Sequence, residues 1–176
     1  MFTNRLPKKI MQLILTLFFS LHLFGFNISN AEYIKEGEHL ILSFKTTEGK
    51  VVSLSTEENN TYIIFRYGTK HNINLEFPAN DSMSWKQISY SYYLRGGGVA
   101  NEGLDLNYVY FESDSLQYVL YDNFYAHSNS QSTGIKIINL RTSAITDMPA
   151  KQKSKKGNLL QLRDNAFIHQ GETIFD

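Results

Sequence analysis

From residue 39 onward, apolar and polar side chains alternate with a period of two, and the apolar runs are short. These runs are rich in Val, Ile, Tyr and Phe and are separated by Gly, Asn, Asp and Ser. This pattern is typical of β-strands joined by turns, and no long stretch has the 3.6-residue period of an amphipathic helix. The pattern therefore predicts strands through nearly all of this region.

Four hairpins and one further strand follow from these runs. The predicted strand pairs are 39–45 with 50–56, 61–67 with 72–77, 104–111 with 116–124, and 134–140 with 143–147; the further strand is 87–94. In the fourth strand, Ile73, Leu75 and Phe77 are predicted to face the core. Asn72, Asn74 and Glu76 then face solvent, as in a sheet with one wet face.

About nine short strands at hairpin spacing predict an all-β fold, either a single antiparallel β-sandwich or a small barrel built from hairpins. Residues 126–133 are small and polar, which predicts a surface loop. Residues 151–156 contain four lysines and are predicted to form a basic loop. Residues 158–168 fit either a last strand or a short helix, and the pattern does not choose between them.

The first 31 residues have the features of an export signal. A basic start with Arg5, Lys8 and Lys9 precedes an apolar run at 10–26, and Ser29, Asn30 and Ala31 follow it. We therefore predict a signal peptide at 1–31 that is cleaved after Ala31, a single mature domain at 32–176, and a periplasmic or secreted location with no stable membrane span after cleavage. The alternative is an uncleaved membrane anchor, although the run is short for a spanning helix.

Charge and cysteine content narrow the possible functions. Three of the 17 basic residues and none of the 17 acidic residues precede position 32, so the predicted mature domain has a net charge of −3. This charge argues against nucleic acid as a partner. The chain contains no cysteine, which excludes disulfides, thiol catalysis and thiolate metal sites.

The usual signatures of catalysis are missing from the sequence. No Gly-x-Ser-x-Gly elbow occurs, and His39, His71, His127 and His169 stand alone rather than at metal-binding spacing. The glycine run does not fit a phosphate-binding loop, because Gly103 precedes Leu104 and a predicted strand instead of Lys and a helix. We predict no metal and no cofactor.

The most distinctive stretch is 90–107, YSYYLRGGGVANEGLDLN. Its consecutive glycines indicate a demanding backbone path between two aromatic strands. The candidate binding residues are Tyr92, Tyr93, Arg95, Gly96, Gly97, Gly98, Asn101, Glu102, Asp105 and Tyr108. The alternative for Arg95 is an internal pair with Glu102 or Asp105. For the Asn and acidic residues, the alternatives are turn formation, calcium ligation or a glycosidase carboxylate pair.

Eight tyrosines fall between residues 90 and 125. Tyrosine combines a large rigid contact area with a polar tip, which suits protein interfaces and sugar-stacking platforms. The alternative is an ordinary tyrosine-rich core. The two interpretations stay open at the level of sequence.

The segment YYLRGGGVANEGLDLNYVYF resembles small exported β-proteins of Gram-negative bacteria that have no established activity. The resemblance implies export and a single β-domain, and it implies no catalytic residues. Our leading hypothesis is a non-enzymatic binding protein, inhibitor- or immunity-like, that recognises a macromolecule of the cell envelope through the tyrosine-rich sheet and the glycine loop. The alternatives are carbohydrate or cell-wall glycan binding and, less favoured, a hydrolase.

Overall fold

A computed structural model describes residues 33–79 and 83–174. Its strands are β1 (Glu38–Lys45), β2 (Val51–Glu57), β3 (Ile63–Thr69), β4 (Asn72–Phe77), β5 (Ser89–Arg95), β6 (Leu104–Ser113), β7 (Leu116–Tyr125), β8 (Ser130–Asn139), β9 (Ile145–Pro149), β10 (Lys156–Gly157) and β11 (His169–Gln170). A one-turn helix, α1 (Ser84–Gln87), precedes β5. The predicted signal peptide, 1–31, lies outside the described residues.

The strands form two separate sheets that pack face to face. One sheet has five strands in the order β10-β1-β2-β3-β4, and the other has six in the order β11-β5-β6-β7-β8-β9. The all-β sandwich prediction is confirmed, and the closed-barrel alternative is wrong because each sheet keeps two edge strands. The antiparallel prediction holds except at β11, which pairs with β5 in parallel. A long connection brings β11 to that edge, as parallel pairing requires.

The main core lies between the sheets and is rich in aromatic rings. Phe111 of β6 stacks on Phe77 with 4.2 Å between ring centroids and on Tyr118 with 5.1 Å. Phe65 of β3 meets the same ring at 4.9 Å, so both sheets contribute to the cluster. Burial of these apolar side chains from both sheets is what makes the sandwich stable.

Two local predictions fail for identifiable reasons. Ile73 is 39% exposed, because a bulge shifts the β3–β4 register between Leu75 and Ile73 and changes the face on which the next side chain lies. The predicted loop at 126–133 is also wrong in part, because β8 begins at Ser130 and pairs residue by residue with β7. Backbone pairing along the ten-residue β7 extends the strand despite its small polar side chains.

The region after β9 closes the sandwich. A 3-10 helix at Gln152–Ser154 leads to β10 on the edge of β1, and a second at Leu159–Leu162 answers the open question about 158–168. Leu159 and Leu162 are buried in the main core. The predicted basic loop is therefore a short structured segment that crosses from one sheet to the other.

Candidate functional site

One end of the six-stranded sheet carries an open cleft on its inner face. Ile88, just before β5, and Tyr90 of β5 are fully buried, whereas Tyr92 and Leu94, further along the same face, are 40% and 55% exposed. In the antiparallel register, Leu94 lies opposite Asp105, which lies opposite Phe124. The main core thus covers only the first part of this face, and its far end remains accessible.

The second wall of the cleft comes from the segment that follows β9. The cleft has a volume of about 370 Å³ and is lined by Asp105, Asn107, Asp122, Asn123, Phe124, Gln131, Lys155, Gly157, Asn158 and Leu160. Phe124 is 37% exposed and Leu160 is 45% exposed. The rim is therefore apolar while the lining beneath it is largely polar.

Asp122 attaches this wall to the sheet. One carboxylate oxygen accepts hydrogen bonds from Lys155 Nζ at 2.5 Å and from Thr133 Oγ1 at 2.9 Å. The other oxygen accepts the Leu159 backbone N–H at 3.2 Å. Because the Asp122 side chain is only 8% exposed, this charged pair is shielded from solvent and holds the wall in place.

A second polar network meets the cleft at Asp105 and Asn107. Arg163 Nη2 donates to Asp105 Oδ1 at 2.5 Å and to Asn107 Oδ1 at 3.0 Å, and its guanidinium lies 4.5 Å from the centre of the Tyr92 ring. Tyr90 Oη donates to Asn107 Oδ1 at 2.7 Å. Burial raises the pKa of Tyr90 to about 12, so this hydroxyl stays protonated and acts as a fixed donor.

The glycine loop lies beside the cleft and is closed on itself. Arg95 Nε and Nη2 donate to the Glu102 carbonyl oxygen at 2.9 and 2.7 Å, and the carboxylate of Glu102 lies 3.7 Å away. The Asn101 amide donates to the Gly96 carbonyl at 2.9 Å. Positive φ angles of 92° and 59° at Gly97 and Gly98 allow this path. The internal pair of Arg95 matches the alternative considered above.

The candidate tyrosines lie on different faces of the sheet. Tyr92 lies on the inner face, beside Arg163, whereas Tyr93 and Tyr108 belong to a cluster on the outer face of the same sheet. Tyr108 is only 2% exposed. The strand alternation separates neighbours in sequence, so the ten candidate residues do not form one surface.

Sequence reasoning missed four residues that line the cleft, Asp122, Phe124, Lys155 and Leu160, and one that contacts its lining, Arg163. Asp122 and Phe124 share the face of Leu120 by strict alternation along β7, which was the available signal. Lys155, Leu160 and Arg163 lie more than 30 positions further along the chain. Their part in the cleft depends on the tertiary path of that segment, for which the sequence carries no local signal.

Within the described ranges, no three His, Asp or Glu side chains are grouped closely enough to hold a metal ion. No helix among the same residues has both the length and the apolar character needed to cross a membrane. Comparison with family models, with curated proteins and with solved structures finds no match to this chain.

Proposed function

We propose that this chain is an exported binding protein that recognises another protein of the cell envelope through the cleft rim. The observation that carries the proposal is a set of exposed apolar side chains at one end of the sandwich. Phe124 and Leu160 line the cleft, and Tyr92 and Leu94 lie on the same face of the sheet, opposite the cleft residues Asn107 and Asp105. Adjacent exposed apolar side chains of this kind are typical of protein contact sites, and aromatic residues contribute most of the energy at such sites. The polar lining supplies donors and acceptors that orient the partner.

A protein partner is favoured over a sugar by the nature of the rim. Leu94 and Leu160 are aliphatic and half exposed, and Val99 of the adjacent loop is 62% exposed. Aliphatic side chains offer no flat face for a pyranose ring, but they pack well against apolar side chains of a polypeptide. The glycan alternative is supported by Phe124, which lies beside the amides of Gln131 and Asn158 in the same cleft.

The rim can be tested by single substitutions to serine. A peptide selected from a displayed library against the purified domain, or a glycan found on an array, serves as the ligand. Leu94→Ser and Phe124→Ser are each expected to weaken binding of a selected peptide by at least tenfold, because each loses about 1.5–3 kcal/mol of apolar burial at the contact. Isothermal titration calorimetry provides the measurement.

Ile145→Ser is the matched control, because Ile145 is an exposed aliphatic residue on β9, at the opposite edge of the same sheet. It is expected to leave the affinity unchanged. Equal affinity for all three variants would refute the rim as the binding surface. Binding to glycans without any peptide binding would favour the alternative.

Arg95→Ala combined with Glu102→Ala tests the glycine loop. A contribution of this loop to binding is contradicted if the peptide affinity does not change.

Export is tested separately. The basic start and the Ser29, Asn30 and Ala31 segment predict that the chain recovered from a Gram-negative host begins at Glu32. Intact mass spectrometry of the periplasmic and membrane fractions measures this directly. Recovery of the full-length chain in the membrane fraction would instead support the uncleaved anchor.

A further inference from the structure

The outer face of the six-stranded sheet carries a second apolar cluster, which we call the tyrosine face. It consists of Leu106, Tyr108, Val119 and Tyr121, with Tyr93, Leu104, Tyr110, Tyr125 and Ile138 around them. Residues 169–174 of the chain lie against it. The cluster faces away from the main core, and among the described residues Ile174, which follows β11, is the one from outside strands β5 to β8 that packs onto it.

Few interactions hold the 169–174 segment in place. β11 pairs with Ser89 and Tyr90 over two residues only, and Gly171 then donates its N–H to the Tyr90 carbonyl at 2.9 Å. Ser89 Oγ contacts His169 Nδ1 at 3.2 Å, and Tyr110 Oη donates to the Glu172 carbonyl at 3.4 Å. Hydrogen bonds at exposed sites each contribute little net stability, and a two-residue parallel pairing is weak. So small a set of contacts is typical of a segment that opens locally while the rest of the fold stays intact.

Two positions of the 169–174 segment, Gly171 and Ile174, are in close contact with the tyrosine face and the neighbouring end of β5. A Cβ atom on Gly171 would lie 1.9 Å from Tyr110 Oη and 3.1 Å from Ser89 Cβ, so a larger side chain there requires the Tyr110 ring to move and disturbs its contact with the segment. Three positions later, Ile174 packs against the tyrosine face. The surface thus accepts a glycine followed, three residues on, by an aliphatic side chain.

The edge of β5 continues beyond the bound segment. Tyr90 presents its carbonyl to Gly171, on the side away from β6, and strand alternation directs the N–H and C=O groups of Tyr92 and Leu94 the same way. No described residue pairs with these groups. An open edge of this kind is a template for an added strand.

We propose that the β5 edge and the tyrosine face form a strand-addition site. Its resident occupant is the chain's own 169–174 segment, and its external ligand is an extended peptide with glycine followed three positions later by an aliphatic residue, added parallel to β5. This site is distinct from the cleft proposed above, because its side-chain contacts lie on the outer face of the sheet, but it shares the β5 backbone that carries Tyr92 and Leu94. The bound segment acts as a competitor that lowers the apparent affinity for the external peptide.

The test uses a fluorescently labelled peptide with the sequence of residues 169–174, HQGETI, and the full chain. In the native chain the resident segment competes for the site. Gly171→Ala is expected to weaken that competitor, because the added methyl group would displace the Tyr110 ring from its place against the segment. The Gly171→Ala chain is expected to bind the labelled peptide at least tenfold more tightly than the native chain does, as measured by fluorescence anisotropy.

Two altered peptides serve as controls, one with alanine in place of the glycine and one with aspartate in place of the isoleucine. Both are expected to bind at least tenfold more weakly than HQGETI. Should Gly171→Ala impair folding, Ile174→Asp in the full chain displaces the same segment by another route, and near-ultraviolet circular dichroism verifies the fold.

Three results would overturn the proposal. The first is equal peptide affinity for the native chain and both displaced variants. The second is equal binding of all three peptides. The third is a native chain that is dimeric by size-exclusion chromatography and becomes monomeric when HQGETI is added. In that case the strand-addition site is occupied by the 169–174 segment of a second copy and not by the chain's own segment.

Discussion

Replacing Arg66 with alanine is expected to lower the free energy of unfolding by about 3–5 kcal/mol. Arg66 is 1% exposed on the outer face of the five-stranded sheet, and it donates to both carboxylate oxygens of Glu38 at 2.6 Å. Its Nε also donates to Glu76 at 2.6 Å. Because the Glu38 side chain is 0% exposed, the substitution leaves a buried carboxylate without its cation. Urea unfolding followed by Trp85 fluorescence measures the loss.

Two further variants separate charge pairing from packing. Lys35→Ala removes a cation that is 57% exposed and touches the same Glu76, so a loss of less than about 1 kcal/mol is expected. Arg66→Met combined with Glu38→Leu removes both buried charges and should recover much of the lost stability. A loss for Arg66→Ala as small as that for Lys35→Ala would contradict the assignment of this pair as a principal stabilising contact.

The same pair gives the protein a defined acid sensitivity. Burial disfavours the charged Glu38 carboxylate, but hydrogen bonds from Arg66, the Lys35 N–H and Ser55, together with the Arg66 charge, lower its pKa to about 2. A pKa lower in the folded than in the unfolded chain stabilises the fold above the unfolded value near 4.5. That stabilisation is lost as the pH falls from about 4.5 to about 2. Over this range, the free energy of unfolding of the Arg66→Met, Glu38→Leu double variant is expected to fall less than that of the native chain, as measured by urea unfolding at each pH.

The second large effect is expected in the aromatic core. Phe111→Ala is expected to lower the free energy of unfolding by about 3–5 kcal/mol. Phe111 is 3% exposed and contacts Phe65, Phe77 and Tyr118. These rings come from both sheets, so the cavity would lie between them and could not collapse without moving a sheet. Chemical unfolding monitored by circular dichroism measures the difference.

Phe124→Ala is the matched control, since Phe124 lies on the neighbouring strand of the same sheet but is 37% exposed. Because Phe124 is partly exposed, its replacement by alanine is expected to lower the free energy of unfolding by less than about 1 kcal/mol. If both alanine variants lost equal stability, the boundary between covered core and open cleft would be misplaced along this face.

Local pattern predicted most of the strands, since a period of two and turn residues depend only on neighbours in sequence. The exceptions occur where pairing or packing overrides pattern. Ser130 to Thr133 are polar but extend β8 because β7 offers partners, and Ile73 changes face because of a bulge. The register of a bulge depends on the partner strand, so it cannot be deduced from one strand alone.

The candidate site was predicted only in part. Asp105 does line the cleft, and Tyr92 lies on the same face of the sheet, opposite the cleft residue Asn107. Arg95 and Glu102 instead contact each other, and Tyr93 and Tyr108 lie on the opposite face. Asp122, Lys155 and Arg163 enter from elements distant in sequence, where charge pairing in space decides the neighbours.

By itself, the sequence determined an all-β domain built mainly of hairpins, free of cysteine, with a glycine-rich connection between two tyrosine strands. Tertiary structure alone decided that the same strand, β5, buries Tyr90 and exposes Tyr92 on one face. It also decided that a segment more than 70 residues away pairs with the edge of that strand. The physical reason is that hydrophobic periodicity specifies a face but not what covers it. Coverage depends on how far each sheet extends and on where the remaining chain packs.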